Sequence, residues 1–145
     1  MRSLLVLSFL FISATGLHAQ SRYTIAGDTL TLDVTVAAPG YEFDGELDGY
    51  DSTEVMSYLF DHPEISTLRV TGPGGYGPAA KEISAYLVQH GIDTIAIGTC
   101  ASACARIFLG GKSRKLAKVA KLGFHRPWIV KEREKRLYEA NRVEE

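Results

Sequence analysis

The sequence predicts an α/β fold with a largely parallel sheet, and three features carry that reading. Short β-branched or apolar runs alternate with segments of helical period, one of these runs, Ile92–Ile97, is apolar enough for a buried parallel strand, and small-residue turns sit where a strand hands over to a helix. Strand, helix, strand in repeated succession implies right-handed βαβ crossovers with helices packed on the sheet. In open sheets of this kind, sites form at the C-terminal ends of the strands.

Tyr23–Ile25 and Thr29–Val36 alternate polar and apolar residues around Ala26-Gly-Asp28, which predicts an opening hairpin. Pro39-Gly40 and Asp48-Gly49 mark turns, with Tyr41–Leu47 as a short strand between them. From Asp51-Ser-Thr-Glu54 the period becomes helical, with Asp51 or Ser52 as cap, Val55, Tyr58 and Leu59 on one face, and an end near His62-Pro63. Ile65–Thr71 is a strand that runs into Gly72-Pro-Gly-Gly75, and a helix follows from about Pro78 to His90, stopped by Gly91. Ile92–Ile97 is a strand apolar on both faces, Ser102–Leu109 a helix ended by Gly110-Gly111, and Lys121–His125 a last short strand.

The N-terminus, with Arg2 ahead of the apolar run Leu4–Ile12, the small-residue stretch Ser13–Gly16 and a cleavage position after Ala19, has the order of a secretory signal peptide, residues 1–19. The run is well short of the roughly 20 apolar residues that span a bilayer, so no stable membrane anchor is expected after cleavage. Residues 20–128 then form one α/β domain, and 129–145 a charged C-terminal helix. The net charge of −1 and the lack of a basic block exclude the usual nucleic-acid signatures. A periplasmic or secreted location follows from the leader.

Export changes how the two cysteines are read, because an oxidising compartment lets Cys100 and Cys104 pair. Helical i, i+4 spacing would put their Cα atoms about 6 Å apart, within disulfide range. Zinc fits poorly, since no neighbouring His or Cys completes four ligands, and neither a metal nor another cofactor is expected. The bridge would fix the turn Gly98-Thr-Cys-Ala-Ser-Ala-Cys104, which presents Ser102 ahead of a helix N-terminus, where backbone N–H groups favour developing negative charge.

A serine nucleophile needs a base within hydrogen-bond reach. Of the four histidines, His18 leaves with the leader, His62 sits in a turn, and His90 suits a helix C-terminus, whereas His125 ends a strand. Oxyanion donors would be the N–H groups of Ala103, directly after the serine, and of Gly75, where glycine allows close backbone approach. Gly75, Ser102 and His125 fall at the C-terminal ends of three different strands, hence on one sheet edge.

In this order, Thr71-Gly-Pro-Gly-Gly75, Thr94-Ile-Ala-Ile-Gly98, Cys100-Ala-Ser-Ala-Cys104, Leu109-Gly-Gly-Lys-Ser-Arg114 and Leu122-Gly-Phe-His-Arg-Pro127 resemble the ClpP/crotonase-like superfamily. Clp-type serine peptidases carry an oxyanion turn Ser-Pro-Gly-Gly, a nucleophile segment Gly-x-Ala-Ser-Met-Ala and a base segment Met-Ile-His-Gln-Pro. The match runs from Ile65 to Pro127, and the sequence is most similar to secreted bacterial ClpP-like proteins with a Cys-x-Ser-x-Cys turn. The resemblance implies a βαβ superhelical core, Ser102 as nucleophile, His125 as base, Gly75 and Ala103 as oxyanion donors, a peptide or protein substrate, and a homo-oligomer in which the tail builds a subunit-contacting arm.

Two departures stand out. Thr71-Gly72 adds a glycine before Pro-Gly-Gly. The family's third catalytic residue is an aspartate several tens of residues after the histidine, whereas this sequence stops at Glu145, 20 residues past His125, so the fold is expected to be C-terminally short. Another carboxylate substitutes, the chain is a truncated product, or the site does not catalyse. The sequence therefore supports an exported serine hydrolase, with a non-catalytic peptide- or partner-binding protein of the same fold as the alternative.

Overall fold

The computed structural model describes residues 21–37 and 45–125. The leader, the Pro39-Gly40 turn, residues 41–44 of the expected strand, and the charged tail lie outside them.

β1 (Tyr23–Ala26) and β2 (Thr29–Asp33) form the antiparallel hairpin, with Tyr23 opposite Leu32 and a turn through Gly27 at φ 60°. β2 is shorter than its alternation suggests. The Asp33 carboxylate accepts from the Thr35 N–H at 3.0 Å and the Thr35 hydroxyl at 2.6 Å, a local turn that competes with further pairing. Leu30 and Leu32 nevertheless point fully into the core.

α1 (Gly49–Asp61) is capped one turn earlier than its sequence suggests. Asp48 is the N-cap, accepting from the Tyr50 N–H at 3.1 Å, and Asp51 closes the capping box by accepting from the Asp48 N–H at 2.7 Å. The helix buries Val55 and Leu59. β3 (Thr67–Gly72) follows, and α2 (Gly77–His90) buries Ala79, Ala80, Ile83 and Leu87 before Gly91 ends it in the left-handed region at φ 67°.

β4 (Asp93–Ala101) is the central strand and runs four residues beyond the expected Ile97. The reason is a bulge: Val70 pairs with Ala96 but Gly72 pairs with Cys100, so β4 carries two extra residues there. Gly98, at φ 56°, takes up the irregularity, and the Thr71 hydroxyl bonds the Thr99 carbonyl across it at 3.1 Å. After α3 (Ala103–Leu109), a short strand that sequence periodicity missed, β5 (Arg114–Leu116), pairs with the first half of β4. β6 (Lys121–Gly123) pairs with the second half and stops two residues short of the expected His125.

The sheet order is β1-β2-β3-β4-β5, with β6 beside β4. Among the described strands, only the hairpin is antiparallel. α2 packs between α1 and α3, so successive βαβ units advance in one direction, as a superhelical core requires. Leu30, Leu32, Leu68, Val70, Thr94 and Ala96 form the fully buried sheet face. Ile95 and Ile97 on the opposite face stay half-buried, so β4 is not covered on both sides as its apolar run suggested. Thr94 is tolerated inside because its hydroxyl donates to the Phe108 carbonyl at 2.7 Å.

Ile83 is 0% exposed, whereas Val88 on the same helix is 68% exposed. Ile83→Ala is expected to lower unfolding free energy by about 2–5 kcal/mol and Val88→Ala by about 0.5 kcal/mol or less, read from urea denaturation midpoints.

Candidate active site

Ser102 is the hinge between β4 and α3. Among the described residues it is the one non-glycine with positive φ, at φ 54° and ψ −117°. For a residue with a Cβ this conformation costs roughly 1–3 kcal/mol, and it persists only where neighbours over-determine it. Three constraints do so. The Ser102 N–H donates to the Gly123 carbonyl at 2.8 Å, its own carbonyl accepts from the Arg106 N–H at 3.1 Å, and a disulfide joins Cys100 to Cys104 across the turn. The Cα separation is 5.2 Å, and the bridge links a strand end to the first turn of a helix rather than two helical positions. With both sulfurs in the bridge, neither is available to a metal.

Ser102 occupies the N-cap position of α3, but its hydroxyl makes no capping hydrogen bond. The commonest structural use of a serine at this position is therefore absent, and the hydroxyl is left for other chemistry.

The glycine turn after β3 packs directly on this hinge. A Cβ on Gly74 would lie 2.7 Å from the Ser102 Cβ and 2.9 Å from the Ala101 carbonyl oxygen, so only glycine permits the approach. On its other side the turn is tied to Leu47. The Leu47 N–H donates to the Gly74 carbonyl at 2.6 Å, and the Tyr76 N–H donates to the Leu47 carbonyl at 2.7 Å. In a trans peptide the C=O and N–H point in opposite directions, so holding the Gly74 carbonyl toward Leu47 aims the Gly75 N–H away from it. Neither the Gly75 N–H nor the Ala103 N–H donates a hydrogen bond among the described residues.

β6 pairs in parallel with Thr99–Ala101, placing Gly123 opposite Ala101. His125 follows two residues later, exposed, and leaves the sheet at the edge where Ser102 sits. The described residues thus bring the glycine turn, Ser102 and the His125 segment to one edge. His62 and His90 lie at the opposite end. His62 Nδ1 is 3.1 Å from Glu64 Oε1, and the Glu64 carboxyl is held below its ordinary range by a backbone hydrogen bond first and by His62 second. His90 stacks on Tyr86 with ring centroids 4.0 Å apart. A cavity of about 280 Å³ lined by Leu59, Phe60, Pro63, Ile65, Tyr86, His90 and Ile92 is also at that end, remote from Ser102.

No family model and no curated protein matches the sequence. Solved structures do match the fold. A ClpP1 mutant from Listeria monocytogenes superposes with a TM-score of 0.57 at 19% identity, over 78% of this chain and 65% of that one. The fold is ClpP-like. A protein from Streptomyces coelicolor A3(2) assigned to the enoyl-CoA hydratases gives a TM-score of 0.48 at 16% identity, over 76% of this chain and 52% of that one. An enoyl-CoA hydratase from Mycobacterium smegmatis gives 0.47 at 13% identity, over 70% and 48%. The chain therefore spans about two thirds of the ClpP1 length and about half that of the hydratases.

Two parts of this edge escaped sequence reading. Leu47, which clasps the glycine turn, gives no local signal beyond an apolar residue before a cap. Arg22 and Asp51, which hold the segment around Leu47, lie 29 residues apart in sequence.

Replacing both Cys100 and Cys104 by alanine opens a small loop. The expected loss is about 2 kcal/mol on the chain-entropy relation. Urea denaturation of the double variant against the oxidised wild type measures it.

Proposed function

We propose that this chain is an exported serine hydrolase, a peptidase, in which Ser102 is the nucleophile, His125 the general base, and the N–H groups of Gly75 and Ala103 the oxyanion hole. The observation that carries the reading is the backbone of Ser102, a strained strand-to-helix hinge with an unused hydroxyl against a glycine turn. Strained hinges of this kind expose a nucleophilic serine at the top of other α/β sheets. The fold shared with ClpP1 supports the reading at the level of architecture, and the leader-like N-terminus and the disulfide support a periplasmic or secreted setting.

In this reading the Ser102 hydroxyl attacks the scissile carbonyl while its proton passes to His125. Negative charge on the carbonyl oxygen is met by the Gly75 and Ala103 N–H groups. His125 returns the proton to the leaving amine, an acyl-Ser102 ester remains, and water activated by the same imidazole releases the acid. α3 is only 7 residues long, so the two specific donors matter more than its dipole. Assembly into a homo-oligomer, with the tail as a contact arm, belongs to the same proposal.

A fluorophosphonate probe should label the folded, oxidised protein at Ser102. Labelling should be abolished in Ser102→Ala and lost in His125→Ala. Folded wild type that remains unlabelled would overturn the hydrolase reading in favour of a binding protein of the same fold. Gly74→Ala, whose Cβ meets Ser102, should slow labelling by about 100-fold or more, the scale of a lost oxyanion donor. N-terminal sequencing of the periplasmic fraction should begin at Gln20; recovery of an uncleaved chain in the cytoplasm would sink the export proposal.

A further inference from the structure

Arg22 and Asp51 form an ion pair inside the domain, with side chains 1% and 0% exposed. Buried pairs of this kind add little net stability over apolar residues of the same volume, so a specific structural use is the more informative explanation. The guanidinium grips the carboxylate twice, Nε to Oδ1 at 2.8 Å and Nη2 to Oδ2 at 2.7 Å. Further donors reach the carbonyls of Val36 at 3.0 Å and of Glu46. Asp51 also accepts from the Tyr23 hydroxyl and, at 2.7 Å, from the Asp48 N–H. The pair thus holds the carbonyl just before Leu47 and the N–H just after it.

A continuous path leads from there to the oxyanion edge. Arg22 donates to the Glu46 carbonyl, which shares a peptide plane with the Leu47 N–H. That N–H donates to the Gly74 carbonyl at 2.6 Å, which shares a peptide plane with the Gly75 N–H. Each plane is rigid, so orientation passes along it, and a cation at the head of a hydrogen-bonded chain polarises the bonds that follow. Close contact prevents the second plane from drifting, since a Cβ on Gly75 would overlap both the backbone nitrogen and the carbonyl oxygen of Leu47.

We propose that Arg22, fixed by Asp51, is a positioning residue for the oxyanion hole, setting the direction of the Gly75 N–H through the Glu46–Leu47 and Gly74–Gly75 peptides. It rests on the acyl-transfer reading given above.

Arg22→Lys keeps the charge but not the planar fork, and it provides the test. The second-order rate of fluorophosphonate labelling at Ser102 should fall by about 10- to 100-fold, part of the loss seen when an oxyanion donor is removed. With a peptide substrate the loss should appear in kcat rather than KM. Independently of activity, the ¹⁵N–¹H resonances of Gly74 and Gly75 should move while those of Gly110 and Gly111 stay in place. A folded variant with unchanged Gly75 resonance, or with a shifted resonance and a wild-type labelling rate, overturns the proposal. If wild type itself is not labelled, the acyl-transfer reading fails and the resonances alone decide whether Arg22 sets the Gly75 peptide. Should Arg22→Lys not fold, Tyr23→Phe removes only the hydroxyl on Asp51 and carries the same readouts at smaller amplitude. No movement of Gly75 there overturns the proposal as well.

Discussion

The parallel pairing of β3, β4 and β6 is the constraint on which the rest of the structure depends. Because these strands run the same way, the chain leaves each of them at one edge, and residues from three distant segments meet there without any long connecting loop. The bulge at Gly98 is part of that arrangement. It lets one strand pair β5 with its first half and β6 with its second, so the end that carries Ser102 lies beside the segment that carries His125. An unbroken ladder would have kept Gly72 two residues out of its present register with Cys100.

Strain at Ser102 is stable because its neighbours restrict it from different directions. The Gly123 carbonyl fixes its N–H, the disulfide fixes the residues on either side, and Gly74 closes the space above its Cβ. A disulfide that closes so short a loop constrains the unfolded chain only modestly. Its greater effect here is local, limiting how far the strand end and the helix start can separate when the hinge is pushed.

Much of this was legible in the sequence, for identifiable reasons. The alternation in Thr29–Asp33, the helical period of α2 with Gly91 behind it, and the small-residue turn around Ser102 are local signals, and local signals survive without knowledge of the fold. The glycines of the turn after β3 were also readable as a place of close approach. What was not legible is long-range or weakly patterned. β5 is three exposed residues, too short for a period and stabilised by pairing with β4 rather than by burial. Asp51 reads as a helix cap, yet it is the N3 member of a capping box whose N-cap is Asp48, and its carboxylate is also bound by an arginine 29 residues away. Nothing near Arg22 distinguishes it from a solvated strand-end residue.

The two halves of the site edge are therefore secured by different parts of the chain. The hinge that bears Ser102 and the Ala103 N–H is fixed within the central βαβ core, by the disulfide and by β6. The glycine turn that bears the Gly75 N–H is held by Leu47, and Leu47 is held by Arg22 at the start of the N-terminal hairpin. The same hairpin supplies Leu30 and Leu32 to the buried sheet face, so the pairing of β2 with β3 that completes the core also brings Arg22 to the segment around Leu47. Arg22, which holds Leu47 against the glycine turn, thus comes from the described segment farthest in sequence from Ser102.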